Sequence, residues 1–325
     1  MKNKIGYKTA LGPCICGDSL HLLDSLKDES VDLVMTSPPF ALQRKKEYGN
    51  CSQEEYVQWL VSFAKKVFVK LKKTGSFVLD IGGAYEKGLP IYSLYQFRTL
   101  IALCDEVGFK LAQPFYWHNP SALPAPIEWV NKRKLRAKNS VNTIWWLCKG
   151  SDAKANVANI LTPYSDRMKA LLKNPNDFIK MNTASRPSGH VLTKSSWLNN
   201  NGGAIPPNLI ELSNSESNSQ YLRYCKQLDI KGHPARFPSG IPQMFIKFLT
   251  EKNDLVVDIF AGSNTTGFVA EQLSRRWMSF ELSNDYVAGS VVRFCDSVDS
   301  AKNAYKTVLN GGFIDVGKIT GQLFG

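Results

Sequence analysis

Residues 36 to 40 read TSPPF and close the apolar run VDLVM at residues 31 to 35. Two consecutive prolines cannot extend a strand ladder, because neither has an N–H to donate, so the backbone leaves the run there with its carbonyls uncommitted. The hydroxyl of Ser37, the carbonyl of Pro38 and the ring of Phe40, with Pro39 between them, suit a planar base that carries an exocyclic amine. Two acceptors hold the amine and one ring stacks on the base. Held in that way, the amine nitrogen can attack an electrophilic methyl group in line. A bare proline pair is also an ordinary strand exit, so the stretch needs company before it means more.

The company lies far along the chain. Residues 254 to 267 read DLVVDIFAGSNTTG, and WMSFEL follows a short helical pattern, with its acidic residue at Glu281. This spacing predicts a strand ending in Asp258, a turn through Gly262 and a helix beginning near Thr265. Backbone N–H groups of such a turn approach a ligand closely, and the helix N-terminus favours an anionic group. An acidic residue ending the next strand reaches ribose hydroxyls. The turn is not GxGxxG, and GxxxxGK[ST] occurs nowhere, so dinucleotide and nucleoside-triphosphate readings lose their main support. A ligand with a ribose and a small carboxylate fits better. A third candidate, Asp80, ends the run SFVLD ahead of a flexible IGGAY turn. It can hydrogen-bond Ser37 or the bound base, or receive a proton indirectly; capping a helix is its plain alternative.

The elements that must position these groups alternate in a strand and helix rhythm. VDLVM, EEYVQWLVSFAKKVFVKLK, SFVLDI, the stretch from 93 to 107 and NTIWWLC form one block, and IPQMFIKFLT, DLVVDIF, TGFVAEQLSRR and WMSFEL form another. The pattern predicts an α/β fold, a parallel sheet with helices on its faces, to which both blocks contribute. Between them, residues 151 to 230 lose the rhythm and are rich in Asn, Ser and Gly, as in SRPSGH, NNNGGAIPPN and SNSESNSQY. That composition suits an inserted lobe of loops whose amides and hydroxyls point outward.

With 40 Lys and Arg against 28 Asp and Glu, the net charge is +12, which favours a polyanionic partner. QRKKEYGN follows the TSPPF stretch closely, and WVNKRKLRAK at 129 to 138 places five cations in a short span, both suited to phosphates. The seven cysteines are scattered without a CxxC pair, and the four histidines stand apart, so neither a disulfide framework nor a metal site is expected. No apolar run approaches the roughly 20 residues that cross a bilayer, and no secretory leader is visible, so a cytoplasmic protein without membrane contact is expected.

Taken together, TSPPF, FAGSNTTG, Glu281 and KGHPARFP at 231 to 238 resemble the β class of S-adenosylmethionine-dependent amino-methyltransferases that act on DNA. Further stretches, among them GGAY, EWVNKRK, PYSDRMK and RPSGH, extend the resemblance to a cytosine-N4 member over nearly the whole chain. The resemblance implies a Rossmann-like methyltransferase sheet, circularly permuted, with an inserted target-recognition lobe. In that order 1 to 150 form the catalytic half, 151 to 230 the target-recognition lobe and 231 to 325 the cofactor half. Ser37, Pro38, Pro39 and Phe40 align with the catalytic tetrapeptide, with Asp80 as a helper. Asp258, Phe260, Gly262, Ser263, Asn264, Thr265, Thr266, Glu281 and Phe237 fall at cofactor positions. The GDS of Gly17, Asp18 and Ser19 resembles the turn that meets the adenine amine.

The resemblance also implies that the strand before Asp18 pairs with the strand ending at Glu281. S-adenosylmethionine is the expected cofactor, double-stranded DNA the expected partner, and the chain is expected to act as a monomer without a metal. In the lobe, Arg186, His190, Asn214, Ser215, Glu216, Ser217 and Asn218 are candidates for reading base edges. Extended to base readout, the resemblance points to the palindrome CAGCTG.

Three alternatives stay in view. Adenine N6 is the runner-up acceptor, since Asp at the position of Ser37 accompanies adenine and Ser accompanies cytosine N4 only imperfectly. A 5-methylcytosine enzyme needs a cysteine nucleophile, and the only Pro-Cys pair, Pro13-Cys14, precedes the GDS turn, where Cys14 reads as a strand residue. A non-catalytic DNA-binding protein on the same fold is the third, and the intact Ser37 to Phe40 stretch argues against it.

Overall fold

The computed structural model describes residues 3–41, 53–174, 199–214 and 219–319. Ten strands form one sheet. In chain order they are β1 (Lys4–Lys8), β2 (Pro13–Cys16), β3 (Val31–Thr36), β4 (Leu71–Ile81) and β5 (Lys110–His118). The remainder are β6 (Val141–Cys148), β7 (Leu209–Glu211), β8 (Leu255–Asp258), β9 (Arg276–Glu281) and β10 (Ile314–Asp315). Their order across the sheet is β10-β1-β2-β9-β8-β3-β4-β6-β5-β7.

All six residues of β3 are buried, as a central parallel strand requires, the four apolar ones together with Asp32 and Thr36. β3 lies parallel to both β8 and β4. The helix Gln53–Lys70 crosses from β3 to β4 and buries Tyr56, Leu60, Phe63, Ala64 and Val67 against the sheet. Those positions follow i, i+4, i+7, i+8, i+11, one stripe of a 3.6-residue period. On the other side, the helix Thr265–Gln272 leads from β8 to β9, its parallel neighbour. The chain therefore leaves β8 in one direction along the sheet and β3 in the other. In open α/β sheets the crevice beyond the carboxyl ends of two such diverging strands is where ligands bind.

β2 pairs in parallel with β9, with Cys16 opposite Glu281, and the N–H of Gly17 continues the ladder to the Glu281 carbonyl at 2.9 Å. The pairing implied by the family resemblance is thus present, and it brings the GDS turn beside Glu281. One sequence expectation needs correction: the sheet is mixed, because β6 runs antiparallel to β4 and β5, and β1 antiparallel to β2. Residues 119–140 connect β5 to β6 with only the five-residue helical turn Glu128–Lys132, and without a crossover helix the chain returns beside itself in the opposite sense.

Two compact units emerge, Met1–Ala155 with Asn208–Gly325, and Asn156–Pro207. The second contains the turn Val157–Ile160, the helix Asp166–Lys173 and a bridge between Thr162 and Ala204. Residues 208 to 230, which composition groups with the polar lobe, lie in the first unit: β7 pairs with β5, and the helix Gln220–Gln227 buries Tyr221, Tyr224 and Cys225. Among the described residues, no helix is long and apolar enough to cross a membrane.

Candidate active site

The carboxyl ends of β3 and β8 are tied together by one buried hydrogen bond. Thr36 Oγ1 donates to Asp258 Oδ1 at 2.6 Å, joining residues 222 positions apart. Thr266 Oγ1 donates to the other carboxylate oxygen at 2.7 Å, and the Phe260 N–H to Oδ1 at 3.1 Å. Asp258 therefore fixes the strand ends and the start of the glycine turn together. Beyond them opens a cavity of about 830 Å³, near the upper end of the ~300–1,000 Å³ usual for small-molecule sites. Ser37, Pro38, Pro39, Phe40 and Asp80 line one part of it. Asp18, Ser19, Phe237, Asp258, Phe260, Gly262, Ser263, Thr265 and Glu281 line the other. Two stretches more than 200 residues apart in sequence thus share one chamber.

On the first side, Ser37 Oγ donates to Asp80 Oδ2 at 3.0 Å, and Asn142 Nδ2 approaches Oδ1 at 3.5 Å. A serine hydroxyl has one proton. With that proton directed at Asp80, the lone pairs of Ser37 Oγ are left to accept from a ligand. No described residue donates to the Pro38 carbonyl, so a second acceptor is available beside it. Phe40 is held at short range against Gly82, where a Cβ would fall 2.4 Å from the ring, so residue 82 must lack a side chain for the ring to sit there.

Asp80 is 2% exposed, and burial raises its carboxyl from 3.8 to about 7, against the opposing hydrogen bonds of Ser37 and Asn142. Its carboxylate form, the better acceptor for Ser37, is populated only as pH rises through that value. Transfer activity should therefore rise with pH toward a plateau above about 7, and Asp80→Asn should abolish that limb; pH–rate profiles of both forms check it. Stability runs the other way. A raised carboxyl favours the folded state at low pH, and that contribution is lost as pH climbs from 3.8 to about 7.

On the second side, Glu281 Oε2 accepts from the Gly262 N–H at 2.8 Å and Oε1 from the Ser283 N–H at 2.9 Å. A carboxylate offers about four acceptor positions, so two remain for ligand hydroxyls. Burial pushes Glu281 and Asp258 above the usual carboxylate range. Gly262 has φ +53°, and a Cβ there would lie 3.0 Å from the His233 ring. Phe260, Trp59 and Phe63 form an aromatic wall, with centroids of Phe260 to Trp59 at 5.4 Å and Phe260 to Phe63 at 4.9 Å. Ser19 Oγ donates to the Ile259 carbonyl at 2.6 Å, and Asp18 caps the helix Ser19–Asp24 through the Leu20 N–H. Arg293, 6% exposed, supports the turn from behind: Nε donates to the Ser263 carbonyl at 2.6 Å, and Nη2 donates to Ser263 Oγ and Thr265 Oγ1.

Asn264 and Thr266 do not line the cavity. Thr266 is engaged with Asp258. Asn264 is fully buried at φ +53°, where its Oδ1 accepts from the Gly267 N–H and Ser279 Oγ and its Nδ2 donates to the Tyr7 hydroxyl. Asn is among the few residues that adopt this left-handed conformation readily, and here it shapes the turn.

Sequence reasoning missed several lining residues: Trp59, Phe63, Trp117, Asn119, Asn142, His233 and Arg236. Trp59 and Phe63 lie within EEYVQWLVSFAKKVFVKLK, which the sequence marks only as a helical pattern. His233 and Arg236 lay inside KGHPARFP, a stretch quoted whole, and Asn142 opens the apolar run of β6. Asn214 lines the cavity. Arg186, His190, Ser215, Glu216, Ser217 and Asn218, and the QRKKEYGN stretch at 43 to 50, lie outside the described residues.

A family model described as DNA methylase, for N6 and N4 methyltransferases, matches residues 31–292. The chain is 58% identical over 319 residues to the type II methyltransferase M.PvuII of Proteus hauseri, spanning 97% of this chain and 94% of that one. A solved PvuII DNA methyltransferase, cytosine-N4-specific, superposes with a TM-score of 0.79 at 51% identity, covering 97% of this chain and 99% of the other. A solved M1.HpyAVI–SAM complex shares the fold at 17% identity, with a TM-score of 0.50 over 88% of this chain and 98% of its own.

Proposed function

The chain belongs to the DNA methylase family of N6 and N4 amino-methyltransferases, and from that premise we propose that it methylates the exocyclic N4 of cytosine in duplex DNA. The observation that carries this reading is the single cavity in which Ser37 to Phe40 face the Asp258 to Thr265 turn and Glu281. The choice of cytosine N4 is supported by Ser37 and by the 51%-identical solved relative that is cytosine-N4-specific. Action as the modification arm of a restriction-modification pair, in the cytoplasm, follows the type II relatives.

The residues present fit S-adenosylmethionine. The spare acceptor positions of Glu281 suit a ribose diol, and the aromatic wall of Trp59, Phe63 and Phe260 suits a purine. Gly262 lets backbone come close, and the hydroxyls of Ser263 and Thr265 suit the amino-acid end. When bound, S-adenosylmethionine would supply the electrophilic methyl group, its methyl–sulfur bond breaking so that the sulfur departs as a neutral thioether.

The chain does the rest. Phe40 stacks on a base swung out of the duplex, while Ser37 Oγ and the Pro38 carbonyl accept from the two amine hydrogens. Drawing both hydrogens toward acceptors turns the nitrogen lone pair out of conjugation and toward the methyl. As the nitrogen gains its fourth bond, it releases a proton through Ser37 to Asp80, which near neutrality can take it up. Among the described residues no cysteine lines the cavity, and Cys14 is fully buried in β2, where burial raises its thiol far above the usual range.

Within the proposed division of the chain, the polar segment at 151 to 230 reads the duplex, and one chain is enough to line the cavity. Transfer of label from S-adenosylmethionine to duplex DNA tests the proposal, and mapping the labelled position tests the site. Label in CAGCTG-containing duplex is expected. Absence of label from any duplex contradicts the reading.

A further inference from the structure

Beside the cavity, residues 119–140 between β5 and β6 carry features that methyl transfer does not use. The neck of this segment is closed by the Asn119 N–H donating to the Ser140 carbonyl at 2.7 Å, and Asn119, Ala122, Asn139 and Ser140 line the cavity. Next to Ala122 stands Leu123, 81% exposed, the most exposed large apolar side chain among the described residues. Ile127, in the same tip, is 61% exposed.

The tip is held rather than loose. The Ala122 N–H donates to the Asn119 carbonyl at 3.1 Å, Lys138 Nζ donates to the Ala122 carbonyl at 3.1 Å, and Arg136 Nε donates to the Pro90 carbonyl at 2.8 Å. Pro124 and Pro126 limit its backbone further. In the same segment Lys132, Arg133, Lys134, Arg136 and Lys138 are all exposed.

A lone exposed leucine needs no explanation. A held apolar tip that shares its segment with five exposed cations and adjoins the cavity has a specific complement. The cations call for a polyanion, and the tip calls for an apolar gap within it. A duplex from which one base has been extruded offers both: phosphates outside and unstacked neighbours inside. We propose that Leu123 is a wedge that enters the stack where the target base leaves it, while the surrounding cations hold the flanking phosphates. The wedge keeps the base from returning, so it acts on base extrusion and not on the methyl step. The inference rests on the DNA methyltransferase reading above.

Two substrates separate the roles. One is a paired duplex, and the other is the same duplex with a mismatch opposite the target cytosine, where the base is already unpaired. Leu123→Ala should lower turnover on the paired duplex about tenfold or more and on the mismatched one less than about twofold, because only the first requires a stacked base to be displaced. S-adenosylmethionine affinity, measured by calorimetry, should match wild type, which also reports that the variant is folded. Equal losses on both substrates, or no loss on the paired duplex, would overturn the wedge. If wild-type protein methylates neither substrate, the reading beneath it fails instead.

Discussion

Ser37→Ala should cut methyl transfer about a hundredfold, in the range seen when one preorganised polar group at a reacting centre is removed, while S-adenosylmethionine affinity stays close to wild type. Ser37 Oγ does two things that alanine cannot. It accepts from the amine, and it links the amine to Asp80, whose oxygen lies 3.0 Å away. Without the hydroxyl, the Pro38 carbonyl is left as the lone protein acceptor in that stretch, so the nitrogen lone pair stays in conjugation with the ring. Asp80 keeps only the long contact from Asn142 and shifts further toward its neutral form. The cofactor part of the cavity has its own hydrogen bonds through Glu281 and Asp258, which is why affinity should hold. Phe40→Ala removes a stacking partner worth ~1–3 kcal/mol and should add a rise in KM for DNA. Single-turnover rates with saturating cofactor measure both effects. Unchanged rates in both variants would remove the assignment of this stretch to the amine.

Glu281→Ala and Gly262→Val should produce the mirror result, weakening S-adenosylmethionine binding roughly a hundredfold, since each hydrogen bond to a charged group is worth ~1.5–3 kcal/mol. The Glu281 carboxylate holds the Gly262 and Ser283 N–H groups at 2.8 and 2.9 Å, so alanine loses both the ligand hydroxyl contacts and the shape of the turn. Valine at 262 is penalised twice. Its β-branched side chain is forced to φ +53°, and its Cβ falls 3.0 Å from the His233 ring. Calorimetry reads the loss directly. Wild-type affinity in both variants would contradict the placement of the cofactor.

What was legible beforehand follows from how local each signal is. The proline pair at 38 and 39 announces a strand exit because it lacks donors, and Gly262 announces a turn because of the left-handed backbone it adopts. Each is a short-range constraint written in adjacent residues. The antiparallel return of β6 was not visible, since it depends on a missing crossover, and β5 was hidden by Pro114 in the middle of its run. The further lining of the cavity was also hidden. Asn142 comes from the start of β6, Trp117 from the end of β5, and Trp59 and Phe63 from a helix face that serves the core as well. Arg293 sits 28 residues from Thr265, in a short apolar turn, and its contact with that hydroxyl is set only by the packing of the two segments.

The central claim is that an amine held by Ser37 and Pro38 takes the methyl group, with no cysteine involved. Nucleoside analysis of DNA methylated in vitro tests it most directly. N4-methylcytosine is expected as the only modified nucleoside; N6-methyladenine would contradict the assigned base, and 5-methylcytosine would contradict both the base atom and the mechanism.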